Sequence, residues 1–207
     1  MSGLLGKKIG MTRIFDDKGN AVPVTVVQAG PCFVTQVKTV ENDGYNAVQL
    51  GYDPKKEKNT TKPILGHLKK ANVPALRVLK EFKMAADVEV KLGDVVKADI
   101  FQAGEMVKVS GWSKGRGFTG VIKRHNFGGG RKTHGQSDRY RAPGSIGQSS
   151  YPSKVFKGTR MAGRTGNRYM TVKGLRIVKV DAENNLIFVK GAIPGARNSY
   201  VEIYKQR

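Results

Sequence analysis

The sequence predicts a mainly β protein whose strands form an antiparallel barrel or sandwich. Short runs rich in valine, isoleucine and threonine recur along the chain, whereas few segments have the periodicity of a helix. The runs lie on both sides of a glycine-rich basic stretch at 111–170, so we expect one β core with that stretch inserted into it. The predicted strands are 22–27, 33–40, 46–50, 95–101, 106–109, 175–180, 186–189 and 200–204.

One segment, 51–92, departs from the β pattern. It opens with a lysine-rich loop, and the spacing of Ile64, Leu65 and Leu68 then predicts one face of a short helix that ends before Pro74. We therefore predict a single domain with a small α-containing insertion at 51–92, an extended loop at 125–160, and a β core from 1–50, 93–124 and 161–207.

The positive charge of the chain is concentrated in one stretch. The 207 residues include 37 lysines and arginines against 16 acidic residues, a formal charge of +21. Residues 111–170 hold 13 of the basic residues and one acid, Asp138, together with 13 of the 26 glycines. Aromatic residues are interleaved with this charge, a combination that is typical of nucleic-acid binding. We therefore expect a nucleic acid as the partner.

Composition excludes several functional classes. The single cysteine, Cys32, allows neither an intramolecular disulfide nor a cysteine-based zinc site, and the chain has only three histidines. The sequence contains no apolar span of about 20 residues and no apolar region of a signal peptide. We expect a cytoplasmic protein with no metal, no cofactor, no small-molecule substrate and no membrane contact.

The segment 125–160 contains few large apolar side chains. Ordering its 36 residues costs on the order of 1–2 kcal/mol each, which the burial of so few apolar groups does not offset. We expect this loop to be disordered in the free protein and ordered by an external partner. Base stacking and packing are equally compatible with Tyr140 and Tyr151, whereas the neighbouring Val155 favours packing for Phe156.

Two glycine motifs resemble nucleotide-binding loops. Residues 115–120 match G-x-G-x-x-G, but only 121–127 intervenes before the next glycine run and no βαβ pattern follows. Residues 158–165 resemble a P-loop with arginine in place of lysine, without a preceding apolar strand or a nearby acid for Mg²⁺. We interpret the first as a turn that brings backbone N–H groups and Lys114 or Arg116 close to a phosphate backbone, and we reject a P-loop at the second. A nucleotide-binding enzyme and a DNA-binding architectural protein are the alternatives.

A series of longer motifs extends over essentially the whole chain. They are MSGLLGKKIGMTRIF at 1–15, SKGRGFTGVIKR at 113–124, HG at 134–135, PGSIGQ at 143–148, VFKG at 155–158, MAG at 161–163 and VKGAIPG at 189–195. In this order they resemble the bacterial form of the uL3 family of large-subunit ribosomal proteins. The resemblance implies a six-stranded antiparallel barrel of the translation-factor type, a long extension that penetrates ribosomal RNA, and no enzymatic activity.

The resemblance also implies a place in the ribosome. Members of the family bind the large-subunit (23S) rRNA near its 3′ end, help to nucleate subunit assembly, and adjoin the large-subunit proteins numbered fourteen and nineteen. The extension tip lies near the peptidyl transferase centre, which here corresponds to Gly144, Ser145, Ile146, Gly147, Gln148, Ser149 and Ser150.

Two positions depart from the family pattern. Lys108 stands where aspartate or asparagine is more frequent, and Ser150 replaces a glutamine that is methylated in some members, so we expect no such methylation here.

The predicted rRNA contacts are basic or polar side chains, because lysine and arginine displace the counterions of RNA and arginine adds bidentate phosphate contacts and stacking. They are Lys114, Arg116, Lys123, Arg124, Arg131, Lys132, His134, Arg139, Arg141, Gln148, Lys154, Lys157, Arg160, Arg164 and Arg168. None of them is assigned a catalytic role.

Overall fold

The computed structural model describes residues 3–84 and 90–206. The chain divides into two compact units, Met1–Ser113 with Tyr169–Arg207 and, separately, Lys114–Arg168. The strands are β1 (Gly3–Phe15), β2 (Ala21–Ala29), β3 (Cys32–Lys38), β4 (Ala47–Pro54), β5 (Leu76–Lys83), β6 (Val95–Val96), β7 (Met106–Trp112), β8 (Phe118–Thr119), β9 (Gly163–Arg164), β10 (Tyr169–Asp181), β11 (Leu186–Lys190) and β12 (Tyr200–Lys205). The helices are α1 (Val40–Asp43), α2 (Lys62–Lys70) and α3 (Val121–His125).

The first unit contains a closed antiparallel barrel of six strands. Their order around the barrel is β1, β12, β7, β10, β11 and β2. Apolar side chains from these strands form its core, among them Leu4, Val27, Val109, Ile187 and Ile203, which are all fully buried. The predicted six-stranded barrel is confirmed.

Strand β1, which the hydrophobic pattern does not predict, depends on two unusual features. A Cβ atom at Gly3 would lie 2.5 Å from the carbonyl oxygen of Ile203, so only glycine fits there without a shift of the backbone. Lys8 on the same strand is buried, and its ammonium group donates hydrogen bonds to the carbonyl oxygens of Ile193 at 2.9 Å and Gly195 at 3.1 Å. These carbonyl groups replace water around the buried charge.

A second sheet in the same unit has the order β5, β4, β3 and β6. The predicted strand at 95–101 is wrong for most of its length, because only Val95–Val96 pairs with β3 and a 3₁₀ turn follows at Ala98–Ile100. Ala98 and Phe101 are both buried. A spacing of three residues between buried positions suits a 3₁₀ turn and conflicts with the period of two in a strand.

Segment 51–92 contains the predicted helix and one strand that the sequence does not predict. Helix α2 ends at Lys70, before Pro74, as predicted. Strand β5 pairs with β4 and directs Leu76 and Phe82 into the core, each 1% exposed. The segment therefore adds an edge strand to the second sheet as well as a helix.

The second unit has little regular structure. Strands β8 and β9 pair as a two-stranded ribbon, and helix α3 follows β8. Between His125 and Gly163, a stretch that is described throughout, there is no further helix or strand. Over 3–84 and 90–206, no helix combines the length and the apolar character needed to span a lipid bilayer.

Candidate nucleic-acid interface

All of the predicted contact residues lie in the second unit. Except for Arg124, which is partly buried, their side chains are exposed. Among the described residues, no acidic side chain forms an ion pair with a basic residue of 114–167. Lysines of the first unit do form such pairs, for example Lys38 with Glu81 at 2.8 Å. The cations of 114–167 therefore have no anionic partner within the described chain.

The ribbon of β8 and β9 fixes the two ends of the unit against each other. The amide of Arg116 donates to the carbonyl oxygen of Thr165, and the amide of Thr165 donates to that of Gly117, both at 2.9 Å. The hydroxyl groups of Thr119 and Thr165 lie 2.6 Å apart on the side of the ribbon that Thr119 buries. Gly166, with a φ of +75°, turns close to the Lys114 carbonyl group.

The opposite side of the ribbon carries an aromatic ring beside an arginine. Phe118 pairs directly with Arg164 across the ribbon, so these two side chains share one face. Arg116 lies just before β8 and is separated from Phe118 by Gly117, which has a φ of +66°. The Phe118 ring is 79% exposed. The prediction of contact residues did not include Phe118, although the sequence places this ring between the basic residues Arg116 and Lys123.

Arg124 has a contact within the protein. Its Nη1 atom donates a 2.7 Å hydrogen bond to the carbonyl oxygen of Met161, and His125 Nε2 lies 3.1 Å from the same oxygen. Asn126, with a φ of +61°, then ends helix α3 in the left-handed conformation. Two consecutive side chains of α3 thereby hold the chain just before β9, whereas Lys123 on the same helix is exposed.

The glycine run after α3 packs against the backbone near Tyr140. The amide of Gly130 donates to the Tyr140 carbonyl oxygen at 2.9 Å, and a Cβ atom at Gly129 would lie 2.5 Å from that oxygen. The ammonium group of Lys132 lies 4.5 Å from the centre of the Tyr140 ring. An open cleft of about 580 Å³ is lined by Phe127, Gly128, Gly129, Gly130, Gln136, Arg139, Ala142, Pro143 and Gly144.

Two aromatic rings further along the loop are exposed. Tyr151 is 86% exposed and Phe156 is 60% exposed, with the adjoining Val155 also exposed. The expectation that Phe156 packs is therefore wrong, because most of its surface remains exposed. Both rings have a free face on which a planar group can stack.

The predicted tip is exposed and contains no charged group between 142 and 153. Gly144 has a φ of +83°, which favours glycine, and Ser145 Oγ donates to the Gly147 carbonyl oxygen at 2.7 Å. A Cβ atom at Gly147 would meet only the carbonyl oxygen of Lys154, at 3.8 Å. Glycine at 147 is therefore not required by contacts within the protein.

The two glycine motifs lack the helix that a nucleotide site requires. Helix α3, after the first motif, has five residues, and the second motif runs into strand β9. Among the described residues, no three histidine, cysteine or acidic side chains cluster as a metal site would require. Lys108, one of the two departures, lies in the barrel with its ammonium group 5.2 Å from the centre of the Tyr204 ring.

Comparison with known proteins gives consistent matches. The family model described as ribosomal protein L3 matches residues 56–185. Large ribosomal subunit protein uL3 of Chloroherpeton thalassium is 58% identical over 205 residues, which cover 98% of each chain. The proteins of the same name from Chlorobaculum tepidum and Chlorobium phaeobacteroides are 58% and 55% identical over 204 residues, with the same coverage.

Proposed function

Because the chain belongs to the uL3 family and is thus a structural constituent of the large ribosomal subunit rather than an enzyme, we propose that residues 114–168 bind the 23S rRNA directly, near its 3′ end. The ribosome is accordingly where the protein resides, and rRNA and other ribosomal proteins are its partners. The position of the contact on the rRNA and the residues that make it belong to the proposal.

One observation carries the proposal. Residues 114–168 hold thirteen lysines and arginines against one acid, Asp138, whose carboxylate accepts a hydrogen bond from the Ser137 hydroxyl group. Exposed cations in such excess repel one another and favour a polyanion that neutralises them. On binding RNA they release condensed counterions, which supplies affinity that does not depend on sequence.

The geometry of the ribbon supports a second contribution to the affinity for RNA, which comes from shape and from base stacking. Arg164 shares a face with the exposed ring of Phe118, so a phosphate group and a base can be held side by side there, and the exposed Arg116 just before β8 can hold a second phosphate group. Tyr151 and Phe156 offer further rings to unpaired bases. The residues that line the open cleft are apolar or glycine apart from one arginine and one glutamine, a lining that suits a splayed nucleotide.

The uncharged tip has a different role in the proposal. Charged arms on either side, with Arg139 and Arg141 before and Lys154 and Lys157 after it, bind phosphate groups and hold residues 144–150 in place. We infer that this tip supports the rRNA around the peptidyl transferase centre, that binding helps to nucleate assembly, and that the neighbouring proteins are those numbered fourteen and nineteen.

Hydroxyl-radical footprinting of a 23S rRNA transcript tests the proposal. The full chain should protect nucleotides near the 3′ end. Combined Arg116→Gln and Arg164→Gln substitutions should weaken binding by about tenfold or more, because each removes a charge-assisted phosphate contact. Lys18→Gln with Lys190→Gln removes the same charge from the first unit as a control. Equal weakening by both pairs, or protection confined to other regions of the rRNA, would contradict the proposal.

A further inference from the structure

A second concentration of positive charge lies in the first unit, around helix α2. Residues 55–70 contain six lysines and one acid, Glu57, so they supply five of the nine excess positive charges of that unit. None of these lysines forms an ion pair among the described residues. The predicted RNA contacts, which all lie in 114–168, do not include this cluster.

Helix α2 is fixed to the second sheet by one face. Leu68 is 1% exposed, and His67 Nε2 lies 2.8 Å from Oε1 of Gln49 on β4. Because these two contacts fix the rotation of the helix about its axis, the opposite face of α2 is directed away from the sheet. Lys62, Gly66 and Lys70 follow one another on that face at intervals of four residues, and all three are exposed.

Two of these three residues oppose helix stability. Lys62 places a positive charge in the first turn, where the helix dipole favours an acid, and the first turn contains no acidic residue. Thr61, the N-cap residue, makes no side-chain capping bond. Gly66, in the middle of the helix, is less favourable than any residue except proline. Lys70, by contrast, lies in the last turn, where its charge suits the dipole.

The chain itself does not require a glycine at position 66. A Cβ atom there would have no neighbour within 4 Å, and the residue is helical rather than in the left-handed region. A side chain would thus fit and would stabilise the helix. With glycine at 66, the helix backbone is uncovered at this position, and Lys62 and Lys70 lie one turn before it and one turn after it.

We propose that the face of α2 formed by Lys62, Gly66 and Lys70 binds the phosphate backbone of the large-subunit rRNA, which passes closest to the helix at Gly66. This contact is separate from residues 114–168 and does not depend on them. It rests only on membership of the large subunit and on the features of α2. Glycine permits close approach of a backbone, and the lysines supply charge at both sides.

An RNA fits this face better than a protein surface does. The lysines of 55–70 are mostly exposed, and lysine presents a compact point charge that suits phosphate oxygens without demanding a particular geometry. Of the isoleucine and two leucines on the helix, only Ile64 is exposed, at 37%, and it does not lie on the face of Lys62, Gly66 and Lys70. A stable protein interface usually has an apolar centre, which this face lacks.

Two full-length variants test the proposal. In the first, Gly66→Gln, the stability of the protein and its affinity for RNA should change in opposite directions. Gly66→Gln should raise the melting temperature of the free protein by about 2 °C, because glutamine is the better helix former. The same variant should weaken binding to a 23S rRNA transcript by about tenfold, since the longer side chain blocks a charge-assisted contact. Lys62→Gln should flatten the plot of log K against log salt concentration by about 0.7–0.9. Lys18→Gln, outside the face, serves as the control.

Footprinting separates this proposal from the one for 114–168. Gly66→Gln should remove one group of protected nucleotides while those that depend on Arg116 and Arg164 remain, and the double variant at those two arginines should do the reverse. Unchanged affinity and footprint for Gly66→Gln would overturn the proposal. A fall in its melting temperature would also overturn it, because glycine would then be needed by the fold. Loss of a ribosomal-protein contact with an intact footprint would show that a protein occupies the face, contrary to the proposal.

Discussion

The guanidinium group of Arg124 occupies the space that a side chain at position 163 would need. A Cβ atom at Gly163 would lie 2.5 Å from Nη1 of Arg124, the same atom that donates to the Met161 carbonyl oxygen at 2.7 Å. This arrangement joins helix α3 to strand β9 and organises the base of the second unit. Arg124 is thus a positioning residue in the proposed interface, and a larger residue at 163 would require its guanidinium group to move.

Gly163→Ala should loosen the packing between α3 and β9. The added methyl group must displace the guanidinium group, which is the flexible end of its side chain, so the main loss is the hydrogen bond from Arg124 to the Met161 carbonyl oxygen. Hydrogen exchange should become faster at the Asn126 and Thr165 amides, which now donate to carbonyl groups at 2.9 Å, while barrel amides stay protected. Gly128→Ala, where a Cβ atom has no neighbour within 4 Å, is the control. Unchanged exchange at Asn126 and Thr165 would contradict this account of Gly163.

The sequence could predict most of the candidate site because charge and exposure go together for most of its cations. Arg116 and Arg131 are exposed, as their surroundings of glycine and polar residues suggest. Arg124 differs because its partner, Met161, is 37 residues away along the chain. Charge alone does not show whether a guanidinium group faces solvent or a distant carbonyl group, and no local pattern relates positions 124 and 163.

The fold was predictable where strands alternate and unpredictable where tertiary contacts replace that pattern. The valine-rich run of β2 and the apolar run of β11 form barrel strands as predicted. The glycines and lysines of β1 obscure the alternating pattern by which a strand is predicted. Gly3 is needed because the backbone of β12 lies close to it, and the ammonium group of Lys8 is hydrogen-bonded by carbonyl groups that are far away in sequence. Neither requirement is visible in a hydrophobic pattern.

The part of the loop between α3 and β9 at 141–158 should be disordered in the free protein. It contains no helix or strand, and its large apolar side chains Tyr151 and Phe156 are exposed, so little burial offsets the cost of ordering it. Hydrogen exchange should be fast at 141–158 without RNA and slow in the assembled subunit, with β7 and β12 protected in both. Slow exchange throughout 141–158 in the free protein would contradict the prediction.

Bulky substitutions at the tip should impair function without affecting the fold. Gly147→Arg and Ser149→Tyr both fall in the uncharged part of an exposed loop, and a Cβ atom at 147 has only an ordinary contact. Melting temperatures of the free variants should therefore equal that of the unmodified protein. Reconstituted subunits should assemble but transfer peptides severalfold more slowly, whereas Ser137→Tyr, outside the tip, should not slow transfer. Normal transfer in fully assembled tip variants would refute a role at the catalytic centre.

One ion pair predicts a pH dependence of stability. Lys38 Nζ lies 2.8 Å from Glu81 Oε1, and the Tyr45 hydroxyl group donates to Oε2 at 2.9 Å. The hydrogen bond from Lys38, followed by that from Tyr45, lowers the pKa of Glu81 below its ordinary value of 4.5. The carboxylate therefore stabilises the fold above that pH, and this contribution is lost as the pH falls through the lowered pKa.

Glu81→Gln should consequently destabilise the protein at neutral pH and not at low pH. Because the pair is partly exposed, the difference in the free energy of unfolding should be below about 1 kcal/mol at neutral pH and should shrink as the solution is acidified. Urea unfolding at several pH values measures it. Glu41→Gln, which changes an exposed acid on α1, should show no such trend. A difference in the free energy of unfolding that grows toward low pH would contradict the prediction that the ionised carboxylate of Glu81 stabilises the fold.

The salt dependence of rRNA binding tests most directly whether residues 114–168 form the interface. One full-length variant has glutamine in place of four basic residues of the second unit, Arg131, Lys132, Arg139 and Arg141. A control variant has glutamine in place of four lysines of the first unit, Lys18, Lys97, Lys173 and Lys190. Both variants carry four fewer positive charges, but only the first should flatten the slope of log K against log salt concentration, by about 0.7–0.9 for each phosphate group that is no longer neutralised. Equal flattening in the two variants would mean that net charge alone drives binding and would contradict an interface at 114–168.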